Sequence, residues 1–226
     1  MLQMPENVGA LTVRDLKVFS DRNRLLLDVP SLQISSGEAV GIKGPSGAGK
    51  STLLFALAGL QANTSGALCW GDLNLNSAKQ TTRAAFRRAH VGIVFQDFLL
   101  FDELGPLENS AIQALFQPKT ARSTLRDAAR SALKQLGVKR DTEDVTTYSG
   151  GERQRISVAR ALAHNPAILL ADEPTANLDR TAADALAADL VQQTKDKGRT
   201  LIVASHDHSL LEKMDRVITI QDGVLP

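Results

Sequence analysis

The chain has 226 residues, of which 43% are hydrophobic and 23% charged, with a formal net charge of +1. This composition excludes a disordered or fibrous chain and is long enough to bury a sizeable core. The even charge balance offers no basic excess for nucleic acid, the single cysteine excludes an intrachain disulfide, and no apolar run approaches the roughly 20 residues that span a bilayer.

In chain order, Met1 to Ala10 carries neither the basic nor the apolar block of a secretion signal, so a cytoplasmic chain is expected. Ala10 to Val13, Leu16 to Phe19, Leu25 to Val29 and Ala67 to Trp70 are short apolar runs broken by polar residues and glycine, which predicts strands. Cys69, within the last, is expected to be small and buried. From Ala39 the pattern changes. Val40 to Ile42, Val91 to Phe95, Ile168 to Leu170 and Leu201 to Ala204 read as buried parallel strands. Lys50 to Ala58 and Thr181 to Gln193 read as intervening helices, which makes an α/β domain with a parallel sheet. Arg83, Arg87 and Arg88 share helical spacing and read as a solvated face. Between Gln96 and Pro166 strand signals stop. Ala121 to Leu136 instead places Leu125, Ala129, Leu133 and Leu136 on one helix face, and Gly137 supplies a stop. The expected organisation is one domain over residues 1–226. Its core takes in about 1–95 and 166–226, with a helical insertion at about 97–165.

Three local patterns carry chemistry. Gly44, Pro45, Ser46, Gly47, Ala48, Gly49, Lys50 and Ser51 fit the G-x-x-x-x-G-K-[ST] pattern between a strand and a helix, with Thr52 in the first helical turn. The glycines let backbone N–H groups surround phosphate, Lys50 reaches the outer phosphates, and the Ser51 hydroxyl can ligate Mg²⁺. Asp172 and Glu173 end a buried strand. Asp172 can hold the metal, and Glu173, on another face, can act as general base for water. Ser149, Gly150, Gly151 and Glu152 open a helix running to about His164. Ser149 and Glu152 form a capping box, but two glycines exceed what a cap needs and cost roughly 1 kcal/mol each in helix propensity. An exposed helix start of that kind suits a second phosphate contact, supplied to another subunit. His206 follows the strand Leu201 to Ala204, on the sheet edge shared by Gly44, Gln96 and Asp172, where ligands bind in open parallel sheets. His90, His164 and His208 have no such placement and read as structural.

The phosphate loop, Gln96, Ser149-Gly150-Gly151-Glu152, Asp172-Glu173, Ala176-Asn177-Leu178-Asp179 and Ser205-His206-Asp207 occur in the order seen in ABC-type ATPases. The chain resembles that family from about Leu11 to Gly223, and looks closest to the lipoprotein-release and macrolide-efflux types. Tyr148 stands where the family usually has leucine. The resemblance implies a P-loop sheet core with an N-terminal antiparallel β subdomain and a helical insertion. It implies ATP and Mg²⁺, with Gln96 on the metal and sensing the γ-phosphate, His206 touching the γ-phosphate, Asp179 across a dimer interface, and Phe19 stacking on adenine. Implied partners are a second copy, sandwiching two ATP, and an integral membrane subunit at the inner face of the membrane. Phe98-Leu99-Leu100-Phe101 is a candidate dock for a short helix of that subunit, and otherwise core of the insertion. No nucleic acid is expected. The rival classes are a non-transport ATPase of DNA repair or translation, which usually carries a coiled-coil insertion or second cassette that 226 residues do not accommodate, and a regulatory module without turnover, against which Glu173 and His206 argue.

Overall fold

A computed structural model describes residues 8–140 and 144–225. The chain begins with β1 (Leu11–Phe19), β2 (Leu25–Ile34), β3 (Ala39–Lys43), α1 (Lys50–Leu57), β4 (Thr64–Trp70) and β5 (Leu73–Asn74). It continues through α2 (Gln80–His90), β6 (Val91–Val94), α3 (Pro106–Ser110), α4 (Lys119–Gln135) and α5 (Gly150–Leu162). It ends with β7 (Ile168–Asp172), α6 (Arg180–Lys197), β8 (Thr200–Ala204), α7 (His208–Leu211) and β9 (Arg216–Thr219).

β2-β1-β4-β5 form an antiparallel sheet, and β6-β7-β8-β3-β9 form a parallel one. The two runs predicted within residues 10–19 are a single strand. Leu11 and Val13 are buried, and so are Leu16 and Val18, so the alternation slips by one residue between the pairs. Asp15 takes up the slip with φ 49°, where the register with β4 shifts. A side chain at Gly66 would put its Cβ 2.1 Å from the Asp15 carbonyl, so the irregularity requires glycine opposite.

β7 and β8 are buried along their whole length, as central strands covered on both faces are. Leu169, Ala171, Leu201 and Val203 face the helical insertion and α6. Ile168, Leu170, Ile202 and Ala204 face α1 and the antiparallel sheet. Trp70 links the layers, its Nε1 donating to the Leu57 carbonyl at 2.8 Å. In the insertion, Leu125, Ala129 and Leu133 of α4 are buried as their spacing predicts, with Leu136 just beyond.

Two expectations are corrected. Cys69 is half-buried rather than buried, because it lies on the less covered face of β4. Arg83 and Arg87 are not a solvated face. They donate to the carbonyls of Gln61 at 3.1 Å and Gly59 at 2.8 Å, tying α2 to the turn after α1, and burial lowers the Arg87 pKa below its usual value. Among the described residues, no helix is long and apolar enough to cross a membrane.

Candidate functional site: a phosphate cradle on the sheet's carboxyl edge

The parallel register brings the ends of β6, β7, β8 and β3 to one edge, where four loops converge. At the end of β3, Gly47 and Gly49 adopt φ 77° and 101°, which L side chains rarely do. A Cβ on Gly44 would lie 2.3 Å from the Ile220 carbonyl. The loop therefore wraps tightly and opens onto α1, whose N-terminus has no side-chain cap and no acidic residue. Its free N–H groups and helix dipole suit an anion. Lys50 Nζ lies over the loop, donating to Gly44 O at 2.9 Å and Pro45 O at 3.2 Å.

Asp172 closes β7 and is 5% exposed. Burial raises its carboxyl above the usual range, partly opposed by a hydrogen bond from Ser51 and by Lys50. Its Oδ1 is buried and accepts no hydrogen bond from the described residues, which is costly unless a cation or water takes it up. Among the described residues, no three or more His, Cys, Asp or Glu side chains are grouped so as to hold a metal ion by themselves. The available donors are the oxygens of Asp172, Ser51 and Gln96, a hard set that fits Mg²⁺ completing its shell with water and phosphate oxygens.

Glu173 follows with φ 44° while its N–H still bonds Ala204 O at 2.8 Å. This strained turn swings its carboxylate away from Asp172. Glu173 Oε2 lies 2.8 Å from His206 Nδ1 and 3.3 Å from Ser205 Oγ, and Oε1 is 3.8 Å from Lys50 Nζ. Asp207, the next residue after His206, accepts from Arg180, Thr175 and the Ser209 N–H. Burial opposes its ionisation, but those hydrogen bonds prevail and hold its pKa below the ordinary value.

A cavity of about 370 Å³ is lined by Gly44, Pro45, Ser46, Gly47, Lys50, Ser51, Gln96, Glu173, Ala176 and His206. A second cleft, about 450 Å³, shares Gly47, Lys50 and Ser51 and continues past Gly49 and Thr52 to Arg24, Leu25, Leu26, Asp222 and Gly223. Together they offer a phosphate end and a half-apolar end. Ala48 is buried beneath the loop. Phe19 is half-buried and pairs with Leu25, but the cleft wall is Arg24 to Leu26 and not Phe19. Sequence patterns missed Arg24 to Leu26, Asp222 and Gly223, because no local motif marks them.

Ser149, Gly150 and Gly151 do not line either cleft. They form an exposed helix start with the predicted capping box. A Cβ at Gly150 or Gly151 would meet Asn177 O or Leu178 Cδ2 at 3.4 Å, an ordinary contact, so packing within the chain does not by itself require the two glycines. Asp179 caps α6, accepting from the Ala182 N–H at 2.9 Å, and it too lies off the clefts.

The profile of the ABC transporter family matches residues 27–176. The chain belongs to this family. The matched span takes in the phosphate loop, Gln96, Ser149 to Gly151, Asp172 and Glu173. The lipoprotein-releasing system ATP-binding protein LolD of Legionella pneumophila is 38% identical over 198 residues, 86% of each chain. The dimeric post-hydrolysis ATP-binding cassette MJ0796, bound to ADP and phosphate, superposes with a TM-score of 0.85 at 30% identity, covering 95% of this chain and 96% of its own. CbiO1 of Clostridium perfringens, part of the cbiONQ transporter complex, superposes with a TM-score of 0.83 at 27% identity, covering 98% and 88%. The ABC chain described here is thus an ATP-binding and ATP-hydrolysing cassette of the transporter type.

Proposed function

We propose that two copies of this chain close head-to-tail over two ATP molecules and drive a separate membrane subunit. The observation that carries this reading is the single cavity in which Lys50, Ser51, Gln96, Glu173 and His206 meet. The loop from Gly44 to Thr52 holds the phosphates of ATP. Ser51, Gln96 and Asp172 hold Mg²⁺, which supplies charge neutralisation on the phosphate oxygens. Glu173 takes a proton from water, and His206 keeps that carboxylate and the terminal phosphate in register. Water then attacks phosphorus in line, the bond to the bridging oxygen breaks, and ADP leaves with both electrons of that bond. The exposed Ser149 to Gly151 helix start and Asp179 belong to the partner's site, which explains an anion-suited surface outside this chain's own cavity. The dimeric MJ0796 cassette supports that arrangement. The base end takes adenine, with Phe19 as the flanking aromatic of β1.

The membrane subunit docks in a groove of about 390 Å³ whose lining includes Leu60, Phe95, Gln113, Phe116 and Arg160. Phe116, Leu115, Leu99 and Phe101 are more than half exposed beside it, a surface suited to a short amphipathic helix. CbiO1's membership of a transporter complex supports a membrane partner. Docked on that partner, this chain would sit at the inner face of the membrane.

Release of inorganic phosphate from ATP by the purified chain, with and without Mg²⁺, tests the reaction. Glu173→Gln should lower turnover by about a hundredfold or more while nucleotide still binds. Unimpaired turnover in that variant removes Glu173 from the role of base.

A further inference from the structure

We propose that Arg180 is a positioning residue for hydrolysis, holding the His206 turn against Glu173 through Asp207. This rests on the reading of Glu173 and His206 given above. Arg180 is the first residue of α6, directly after Asp179. Its Nε donates to Asp184 Oδ2 at 2.9 Å and its Nη2 donates to Asp184 Oδ1. Asp184, one turn further along, thereby fixes the guanidinium plane, and Nη1 is left aimed at Asp207 Oδ1, 3.1 Å away.

Asp207 is a junction. Its Oδ2 accepts from Thr175 Oγ1 at 3.1 Å, two residues after Glu173, and its Oδ1 also accepts from the Ser209 N–H at 3.0 Å. Its own N–H donates to Ser205 Oγ at 3.0 Å, and that hydroxyl donates to Glu173 Oε2 at 3.3 Å. The start of α6, the loop after Glu173 and the turn bearing His206 are therefore joined through one carboxylate. His206 benefits from such support, since its side chain is 72% exposed and meets Glu173 through Nδ1.

Magnitudes separate this role from a merely structural one. The Arg180 side chain is 54% exposed, and exposed ion pairs contribute little to global stability. Misplacement of a reacting group by about 1 Å, in contrast, costs up to a hundredfold in rate. Deleting Arg180 should therefore reduce rate far more than stability. Because Arg180 adjoins Asp179, any shift of residues 177–179 reaches His206 along the same path.

The test compares Arg180→Ala, Arg180→Lys, Asp184→Ala and Asp207→Asn in the full chain. For Arg180→Ala, kcat should fall roughly 5- to 20-fold, with KM and nucleotide affinity within about twofold and Tm within about 2 °C. Arg180→Lys should recover part of the rate, since an ammonium reaches Asp207 without the Asp184 brace. Asp184→Ala, which removes only the brace, should show a smaller fall of the same kind. Arg180→Ala combined with Asp207→Asn should be no slower than Asp207→Asn alone, because both cut one path. An unchanged kcat, a KM effect in place of a kcat effect, or multiplicative losses in the double variant would each overturn the proposal. Glu173→Gln is run in parallel. If it hydrolyses at the normal rate, the underlying assignment has failed, whatever Arg180→Ala does.

Discussion

Single residues show how burial sets chemistry on opposite edges of the same sheet. On the carboxyl edge, Asp172 keeps a buried oxygen that no described group satisfies, next to the Ser51 hydroxyl. Such an oxygen fits the Mg²⁺ role proposed for Asp172. Before β7, on the other edge, His164 follows α5, half-buried with both ring nitrogens out of solvent. Burial, helped by Arg199 and His90, pulls its pKa down to about 4. His90 is lowered by burial as well. Unfolding returns His164 to an ordinary value near 6.5. Between those two pH values the unfolded chain binds the extra proton, so stability falls as pH drops through that window and levels off below it. The loss from this one group is at most about 3 kcal/mol. Denaturant titrations at pH 7 and pH 5 should show a smaller acid-side loss in His164→Leu than in the natural chain. Equal losses would mean that another group sets the acid sensitivity.

At the scale of elements, β6 and α5 are held closer than side chains allow. A Cβ at Gly92 would lie 2.3 Å from the Ala161 carbonyl of α5. That backbone cannot give way, because α5 also carries the Ser149 helix start. Gly92→Ala should cost roughly 2 kcal/mol by overpacking, about 4–8 °C in Tm for a domain of this size. A variant melting at the natural temperature would show that the two elements slide freely. The loop after β6 is irregular for a different reason. Phe98 and Leu99 both have positive φ, and their carbonyls are held by Arg160 while Asn109 clamps Phe101 and Leu104. Leu99 and Phe101 are thereby displayed outward, while Leu100 packs on the core. The predicted apolar patch at 98–101 is thus partly core and partly surface, because one loop conformation faces both ways. The strand β9 gave no sequence signal, since as an edge strand it is largely exposed and needs no apolar run.

The whole molecule presents two anion-suited surfaces, the phosphate loop and the Ser149 helix start, on different parts of one chain. One nucleotide cannot occupy both, which is why the proposed unit is a pair. In Glu173→Gln with ATP and Mg²⁺, the chain should migrate as a dimer in size exclusion. Adding Gly150→Asp, which places negative charge and bulk at the helix start, should return it to a monomer while each copy still binds nucleotide. A dimer that survives Gly150→Asp would show that copies associate through some other surface.

Local chemistry was legible in the sequence. The phosphate loop, the Asp172-Glu173 strand end and the Ser149 capping box are each decided within a few residues, by glycine dihedrals and hydrogen bonds of short reach. Four of the five parallel strands were legible too, since strands covered on both faces are apolar nearly throughout. Only the tertiary structure decided what depends on distant register. It brought Arg24 to Leu26 and Asp222 to Gly223 together as the far end of the cleft and set Phe19 beside that wall. It turned Arg83 and Arg87 from an apparent surface face into ties between α2 and the α1 turn. It also joined Arg180 to Asp207. Such contacts link side chains far apart in sequence, and no periodicity along the chain encodes which of them will meet.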